Sequence, residues 1–335
     1  MNPLPWQTDQ WQQLVSRRRQ GKLPHAVLLS GPEGLGKHQF AEQFAASLLC
    51  QDTSDDGFAC GQCRGCTLLK ADTHPDIARI VPDEPGKNIK VDQIRGLSNF
   101  TVLSAQFEKG YKVVLLDPAE NMNRAAANSL LKTLEEPADN TILLLLTSAP
   151  QRLLATIRSR CQRIDFVAPA FQTARAWLEK ESVQDPEQWL EIADGAPLSA
   201  LALANGENNS IAERYQSGLE VLEALLQRRQ DPLSIAAEWQ KQDAIQALRW
   251  LTSWVMDMIR LASASGNGHA LPYMACPGQQ SRLSGLANQL DLDGLHSYLG
   301  RLYEASRLLT TTQVNQQLIL EEILIRWAAL PKNRL

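Results

Sequence analysis

The sequence predicts an α/β domain in the first half of the chain, followed by an all-α region. Two short apolar runs, "HAVLLSG" at 25–31 and "KVVLLD" at 112–117, have the length and composition of buried parallel strands. The first run enters a glycine-rich loop, and the segment "KHQFAEQFAASLL" after the loop repeats apolar residues at helical spacing. Strand, glycine loop and helix in this order form the context of a phosphate-binding P-loop.

Composition and charge are those of an ordinary globular protein. The chain has 335 residues, of which 44% are hydrophobic and 21% charged, and this length predicts two or three domains. Its formal net charge of −4 argues against a protein that coats nucleic acid on its own. The sequence has neither a secretory signal pattern nor a long apolar run, so we expect a cytoplasmic protein without a membrane span.

The glycine-rich loop departs from the P-loop pattern at one position. Gly31, Gly36 and Lys37 stand at the places that the pattern Gly-x4-Gly-Lys requires, and Gly34 lies between them. His38 follows, where a Ser or Thr hydroxyl would hold magnesium. The sequence therefore predicts a phosphate cradle that has lost its metal ligand.

The second apolar run ends in an acidic residue, Asp117. Four apolar residues followed by an acid form the Walker B pattern, in which the Asp orients magnesium. In active ATPases of this kind a Glu commonly follows, whereas here the next residue is Pro118 and the nearest acid is Glu120. Two separate parts of the hydrolytic apparatus are thus missing, and we expect a site that does not hydrolyse ATP.

Four cysteines follow the spacing C-x9-C-x2-C-x2-C. They are Cys50, Cys60, Cys63 and Cys66. Four thiolates can close a tetrahedral zinc site, and no coordination position then remains open, so the predicted metal is structural and not catalytic. Gly61 and Gly65 would provide the tight backbone that this convergence needs. Reduced, unrelated cysteines and an iron–sulfur cluster are the alternatives.

The second half of the chain is helical in its apolar spacing. Apolar residues recur at this spacing at Leu248, Leu251, Val255 and Met258, and again at Leu320, Ile323, Leu324 and Trp327. We predict a linker at 205–210 and a break between two helical groups at 263–281. No catalytic constellation follows residue 210, so this region is expected to supply packing and subunit contact.

The segment 128–166, "NSLLKTLEEPADNTILLLLTSAPQRLLATIRSRCQRIDF", resembles the AAA+ clamp-loader family of bacterial DNA polymerase III. "LLKTLEEP" and "SRC" are its most specific parts. With "HAVLLSGPEGLGK", the four-cysteine insertion, "THPDI" at 73–77 and "VDQIR" at 91–95, the resemblance covers the first 205 residues. Because of His38 and Pro118, the chain is similar to the non-hydrolysing delta prime type of subunit and not to the ATP-hydrolysing gamma/tau type.

This resemblance implies three domains. They are an AAA+ P-loop domain with a four-cysteine zinc module at 1–166, a three-helix lid at 167–207 and a helical collar domain for oligomerisation at 208–335. The family's lid carries a sensor arginine, and the matching segment "GAPLSAL" at 195–201 puts Leu198 at the arginine's position. A leucine cannot contact a phosphate, which would be a third defect of the chain's own nucleotide pocket.

By contrast, the motif Ser159-Arg160-Cys161 is intact. In this family its arginine projects into the ATP site of the adjacent subunit, where a planar guanidinium can hold two phosphate oxygens. The alternative for Arg160 is a surface arginine that closes a helix C-terminus, where the helix dipole favours a positive charge.

The resemblance thus implies a rigid stator in DNA replication that binds structural Zn²⁺ and does not bind ATP productively. Its expected partners are gamma/tau-type and delta subunits, with the sliding clamp and primed DNA reached through the complex. One alternative is an autonomous AAA+ ATPase of the gamma type, in which His38 or Glu120 compensates for the missing groups. Another is a zinc-bearing interaction module outside replication.

Overall fold

The computed structural model describes residues 3–84, 86–102, 105, 110–206, 209–241, 244–265, 274, 276–311 and 314–330. The chain forms two compact units, Met1–Pro169 and Ala170–Leu335. The first is an α/β unit and the second is all-α, as the sequence predicts. Within the described ranges, no helix combines the length and apolarity needed to cross a membrane.

Five parallel strands form one sheet in the N-terminal unit, in the spatial order β2-β3-β4-β1-β5. The strands are β1 (Ala26–Ser30), β2 (Ile77–Ile80), β3 (Lys112–Leu116), β4 (Thr141–Thr147) and β5 (Gln162–Asp165). Every residue of β1, β3 and β4 is buried, because helices cover both faces of a parallel sheet and its central strands are mostly apolar, with polar residues only at their ends. The two predicted strands correspond to β1 and β3.

Helices alternate with these strands. They are α1 (Thr8–Arg19), α2 (Lys37–Leu49), α3 (Arg64–Lys70), α4 (Val91–Val102), α5 (Arg124–Glu135) and α6 (Ala155–Arg158). Phe40 and Phe44 of α2 pack edge-on against Trp11 of α1, with ring centroids 5.8 and 5.9 Å apart. Residues of α4, α5 and α6 share a second core with β1, β3 and β4. The ends of the strands are therefore held in fixed positions.

Nine helices follow within the described part of the second unit. They are α7 (Phe171–Lys180), α8 (Pro186–Ile192), α9 (Pro197–Ala204), α10 (Asn209–Leu226), α11 (Pro232–Gln240), α12 (Ala244–Ser265), α13 (Gln280–Gln289), α14 (Leu292–Thr311) and α15 (Gln316–Ala328). The two predicted apolar stripes lie on α12 and α15, and all eight of their residues are buried. The predicted linker at 205–210 and the predicted break at 263–281 each fall partly outside the described residues, but both are shorter than predicted, because α10 begins at Asn209, α12 runs to Ser265 and α13 begins at Gln280.

Helices α7, α8 and α9 share a small core of their own. They also join the core of the later helices, since Ile192 and Leu203 pack there and the Trp250 indole donates a hydrogen bond to the Ile192 carbonyl at 2.9 Å. A lid at 167–207 and a collar domain at 208–335, as separate domains, therefore stay predictions.

Candidate functional site

The glycine-rich loop connects β1 to α2 at one end of the sheet. Gly36 stands at the N-cap position of α2 with φ +80°, a left-handed conformation that glycine adopts without steric cost. A Cβ atom on Gly31 would collide with the Phe166 carbonyl oxygen. The loop and the first turn of α2 thus have the backbone form of a P-loop, in which N–H groups at a helix N-terminus can face an anion.

Lys37 binds acceptors of its own loop. Its Nζ donates to the carbonyl oxygens of Gly31 and Pro32, each at 2.7 Å, and to Ser148 Oγ at 3.1 Å. Burial lowers the pKa of Lys37, and the nearby carboxylates of Glu33, Glu120 and Asp117 oppose that shift. An ammonium group has three N–H donors, so these three contacts engage all of them.

His38 lies beside the acid at the end of β3. Its Nδ1 is 2.8 Å from Oδ2 of Asp117, although the two residues are 79 positions apart. The hydrogen bond to the carboxylate raises the pKa of His38 more than partial burial lowers it. In P-loop NTPases a hydroxyl at the His38 position and an acid at the Asp117 position hold magnesium. Here the imidazole of His38 is hydrogen-bonded to one oxygen of the Asp117 carboxylate.

Glu120 supports the end of β4. Its Oε1 accepts hydrogen bonds from the backbone N–H groups of Ser148, at 2.9 Å, and Ala149, at 3.1 Å. No local signal in the sequence indicates this contact, because the partners lie 28 and 29 residues further along the chain. Pro118 contributes no carboxylate between Asp117 and this residue. The acids after β3 are thus engaged by protein groups.

Arg160 lies just after α6 and contacts two acceptors. Its Nη1 donates to the Thr156 carbonyl at 3.0 Å, and its Nη2 is 2.8 Å from Oε1 of Glu135 at the end of α5. The hydroxyl of Ser159 donates to the same Thr156 carbonyl at 3.1 Å. The side chain of Arg160 remains 37% exposed. The helix-end contact that the sequence suggested as an alternative is therefore present, together with an unforeseen ion pair.

Cys161 anchors the backbone on the other side of Arg160. It packs against the core of the N-terminal unit, and burial raises the pKa of its thiol to about 12. A thiol in this state is inert at neutral pH. The Ser-Arg-Cys motif thus holds one partly exposed arginine between a hydroxyl that closes the helix and a half-buried thiol.

The four predicted metal ligands lie together at the end of α2 and the start of α3. The sulfurs of Cys50, Cys60, Cys63 and Cys66 all lie within 4.8 Å of one another. Four sulfurs placed tetrahedrally at about 2.3 Å from one ion are about 3.8 Å apart. The Sγ atoms of Cys50 and Cys63 are 3.8 Å apart and those of Cys60 and Cys66 are 4.0 Å apart, so the set fits a single metal ion.

Backbone groups support this arrangement. The N–H groups of Cys60, Cys63 and Cys66 point at the sulfurs of Cys50, Cys60 and Cys63, at 3.2, 3.3 and 3.4 Å. A Cβ atom on Gly65 would collide with the Leu49 carbonyl oxygen, so only glycine allows α3 to approach α2 this closely. The sequence analysis expected Gly65 to provide the tight backbone that the converging sulfurs need, and the close approach at this residue agrees with that expectation.

The predicted site residues fall into separate groups. Gly31, Gly34, Gly36, Lys37, His38, Asp117 and Pro118 lie at the carboxyl ends of β1 and β3. Arg160 contacts none of these residues within the described part of the chain. Leu198 lies on α9 in the C-terminal unit, where it is half-buried.

A parallel sheet of this strand order, with a P-loop after β1, is the core found in the AAA+ class of P-loop proteins. The family described as "DNA polymerase III, delta subunit" matches residues 6–170, and its C-terminal counterpart matches residues 211–329. The chain belongs to the DNA polymerase III delta prime subunit family, as the following relatives show.

Three relatives named "DNA polymerase III subunit delta'" match over nearly the whole chain. The protein of Pseudomonas aeruginosa is 36% identical over 98% of this chain and 98% of its own length. That of Escherichia coli is 31% identical over 97% of this chain and 95% of its own length. That of Yersinia pestis is 33% identical over 98% of this chain and 96% of its own length. The resemblance to the clamp-loader family is thereby confirmed.

We expect the His38–Asp117 pair to stabilise the N-terminal unit in acid but not in alkaline solution. The pair raises the folded-state pKa of His38 above the ordinary 6.5, so its contribution is complete below about pH 6.5 and is lost as the pH rises through the folded-state value. Because the imidazole is 66% exposed, the contribution should be at most about 1 kcal/mol. The measurement is the unfolding free energy of wild type minus that of His38→Gln, from about pH 5.5 to about pH 9.

The Asp117→Ala variant provides the control, since it removes the partner of the histidine. In that background His38→Gln should lose most of its pH-dependent effect on stability, with only the weaker influence of Glu42, Arg79 and burial remaining. A deficit of His38→Gln that is equal at both ends of the pH range, or that persists undiminished in the Asp117→Ala background, contradicts the interpretation.

Proposed function

We propose that this chain is a non-hydrolysing stator subunit of the DNA polymerase III clamp loader, of the delta prime type. Its membership of the delta prime family supports the proposal that it acts within this complex. The observation that supports the stator role is the state of its own P-loop, where Lys37 and His38 are bound to protein acceptors. It acts in the cytoplasm, in loading the sliding clamp onto primed DNA.

Hydrolysis by this chain would require groups that are replaced or engaged. His38 stands where a hydroxyl would hold magnesium, and its imidazole binds the Asp117 carboxylate. Glu120, the acid nearest to the missing catalytic glutamate, binds two backbone N–H groups. Leu198, at the position of the family's sensor arginine, has no group that could bind a phosphate. The chain therefore neither binds ATP productively nor hydrolyses it.

Arg160 acts in trans as an arginine finger in the ATP site of a gamma/tau-type neighbour. Phosphoryl transfer develops negative charge that a guanidinium stabilises, and such a residue contributes roughly 10³–10⁵ to the rate. The partial exposure of Arg160 supports this role, because the side chain has access to a group outside its own chain. The delta subunit is the other direct partner.

The four-cysteine cluster holds a structural zinc ion. Its close sulfur spacing favours one ion over a cluster of several irons, which needs more room between the ligands. All four ligands are sulfurs, so zinc here would fix the ends of α2 and α3 and take no part in chemistry.

Reconstitution tests the finger. The isolated chain should show negligible ATP turnover, and adding it to gamma and delta subunits should restore DNA-stimulated turnover. Arg160→Ala should abolish most of that gain, and Arg160→Lys should recover little of it, since lysine lacks the planar fork. The measurement is steady-state ATP hydrolysis with primed DNA, with Arg158→Ala as the matched control because Arg158 is a neighbouring exposed arginine.

Assembly of each variant is checked by gel filtration, so that a loss of turnover is not a loss of binding. An assembled Arg160→Ala complex with full turnover refutes the finger. Steady hydrolysis by the isolated chain, lost in Lys37→Ala, would instead indicate an autonomous ATPase of the gamma type.

Metal analysis tests the zinc site. The purified, reduced protein should contain about one zinc ion per chain. Cys60→Ser should lose the metal and lower the stability of the N-terminal unit by several kcal/mol, because the binding free energy of a structural metal contributes to folding. Cys161→Ser, outside the cluster, should keep the metal. Elemental analysis that finds iron, or no metal in the wild type, contradicts the assignment.

A further inference from the structure

We propose that Glu135 is a positioning residue for Arg160: its carboxylate holds the guanidinium in the orientation in which the arginine meets a phosphate group of a neighbouring chain. The inference rests on the finger role of Arg160 proposed above. Glu135 belongs to "LLKTLEEP", one of the segments that carry the family resemblance, and it is the last residue of α5. The structure shows its partner, Arg160.

Two acceptors from different elements fix the guanidinium. Oε1 of Glu135, at the end of α5, lies 2.8 Å from Nη2, and the Thr156 carbonyl of α6 accepts from Nη1 at 3.0 Å. The guanidinium is rigid and planar, so one contact to each terminal nitrogen sets the direction of the whole group. Among the described residues these contacts use two of its five N–H donors, which leaves three for an incoming phosphate.

The backbones that carry the two acceptors are themselves fixed by packing. Leu134, which precedes Glu135, is 3% exposed, and Ile157, which follows Thr156, is fully buried. Both residues belong to one hydrophobic core. A shift of either acceptor would disturb that core. The two contacts therefore hold the otherwise flexible Arg160 side chain in a fixed position relative to the core.

Stability alone does not account for this ion pair. The side chains of Arg160 and Glu135 are 37% and 52% exposed, and solvent screens the attraction of such a pair. Its larger effect is on side-chain freedom, because a long arginine otherwise samples many rotamers. If Arg160 is already held in one orientation before the neighbouring chain binds, less side-chain conformational entropy is lost in the reaction. A nucleotide's phosphates carry more negative charge than one carboxylate, so Glu135 does not block their access.

The test uses the reconstituted complex with gamma and delta subunits and measures kcat for ATP in the presence of primed DNA. Glu135→Gln keeps the size of the side chain and removes its charge, and it should lower kcat about tenfold, the scale typical of losing a group that orients a functional side chain. The matched control is Glu136→Gln, which alters the adjacent exposed glutamate. This control should keep wild-type turnover.

A double-mutant cycle separates positioning from a general structural role. If Glu135 acts through Arg160, Glu135→Gln should have no further effect on turnover in the Arg160→Ala background. Wild-type kcat for the assembled Glu135→Gln complex overturns the inference, and so does an equal loss in both backgrounds. If Arg160→Ala is defective while Glu135→Gln is normal, only the positioning role fails. If Arg160→Ala keeps full turnover, the finger fails and the positioning role fails with it.

Discussion

Parallel hydrogen bonding between β1, β3 and β4 is the constraint on which the candidate site depends. Because parallel strands end at the same edge of a sheet, this pairing brings the P-loop, Asp117 and Ser148 together from three distant parts of the chain. In this register Ser30, which immediately precedes the loop, pairs with Thr147, which immediately precedes Ser148. The apolar strands thus determine which polar groups can meet, although they carry none of the chemistry themselves.

At this edge, protein groups bind the side chains that stand at the nucleotide-binding and metal-binding positions of active P-loop proteins. The Lys37 ammonium binds loop carbonyls and a hydroxyl, and the His38 imidazole binds the Asp117 carboxylate. Each contact also ties α2 to the end of a strand, so the retained loop still contributes to the structure after the metal ligand is lost. Arg160 differs in kind, since it keeps donors that no group in the described part of the chain uses. An engaged P-loop and a partly exposed arginine are what the proposed stator role requires.

In the C-terminal unit, two buried carboxylates bind the segment that precedes α13: Glu191 of α8 accepts from the Gly278 N–H group, and Asp257 of α12 accepts from the Cys276 N–H group at 2.7 Å. Burial raises the pKa of Glu191 to about 7. The Trp254 indole bonds to Tyr215, so polar contacts continue through the apolar core. The two carboxylate contacts hold α8 and α12 to one connecting segment.

The sequence by itself determined the features that depend on local order. A strand, a glycine loop and a helix follow from neighbouring residues, and so do the four-cysteine spacing and the buried stripes of α12 and α15. Only the tertiary structure decided which distant side chains meet, because those contacts depend on how strands pair and helices pack. It placed His38 against Asp117, Glu120 against the amides after β4, and Glu135 against Arg160. The members of each pair are more than 20 residues apart in the sequence, and no local sequence pattern can indicate a contact over such a separation.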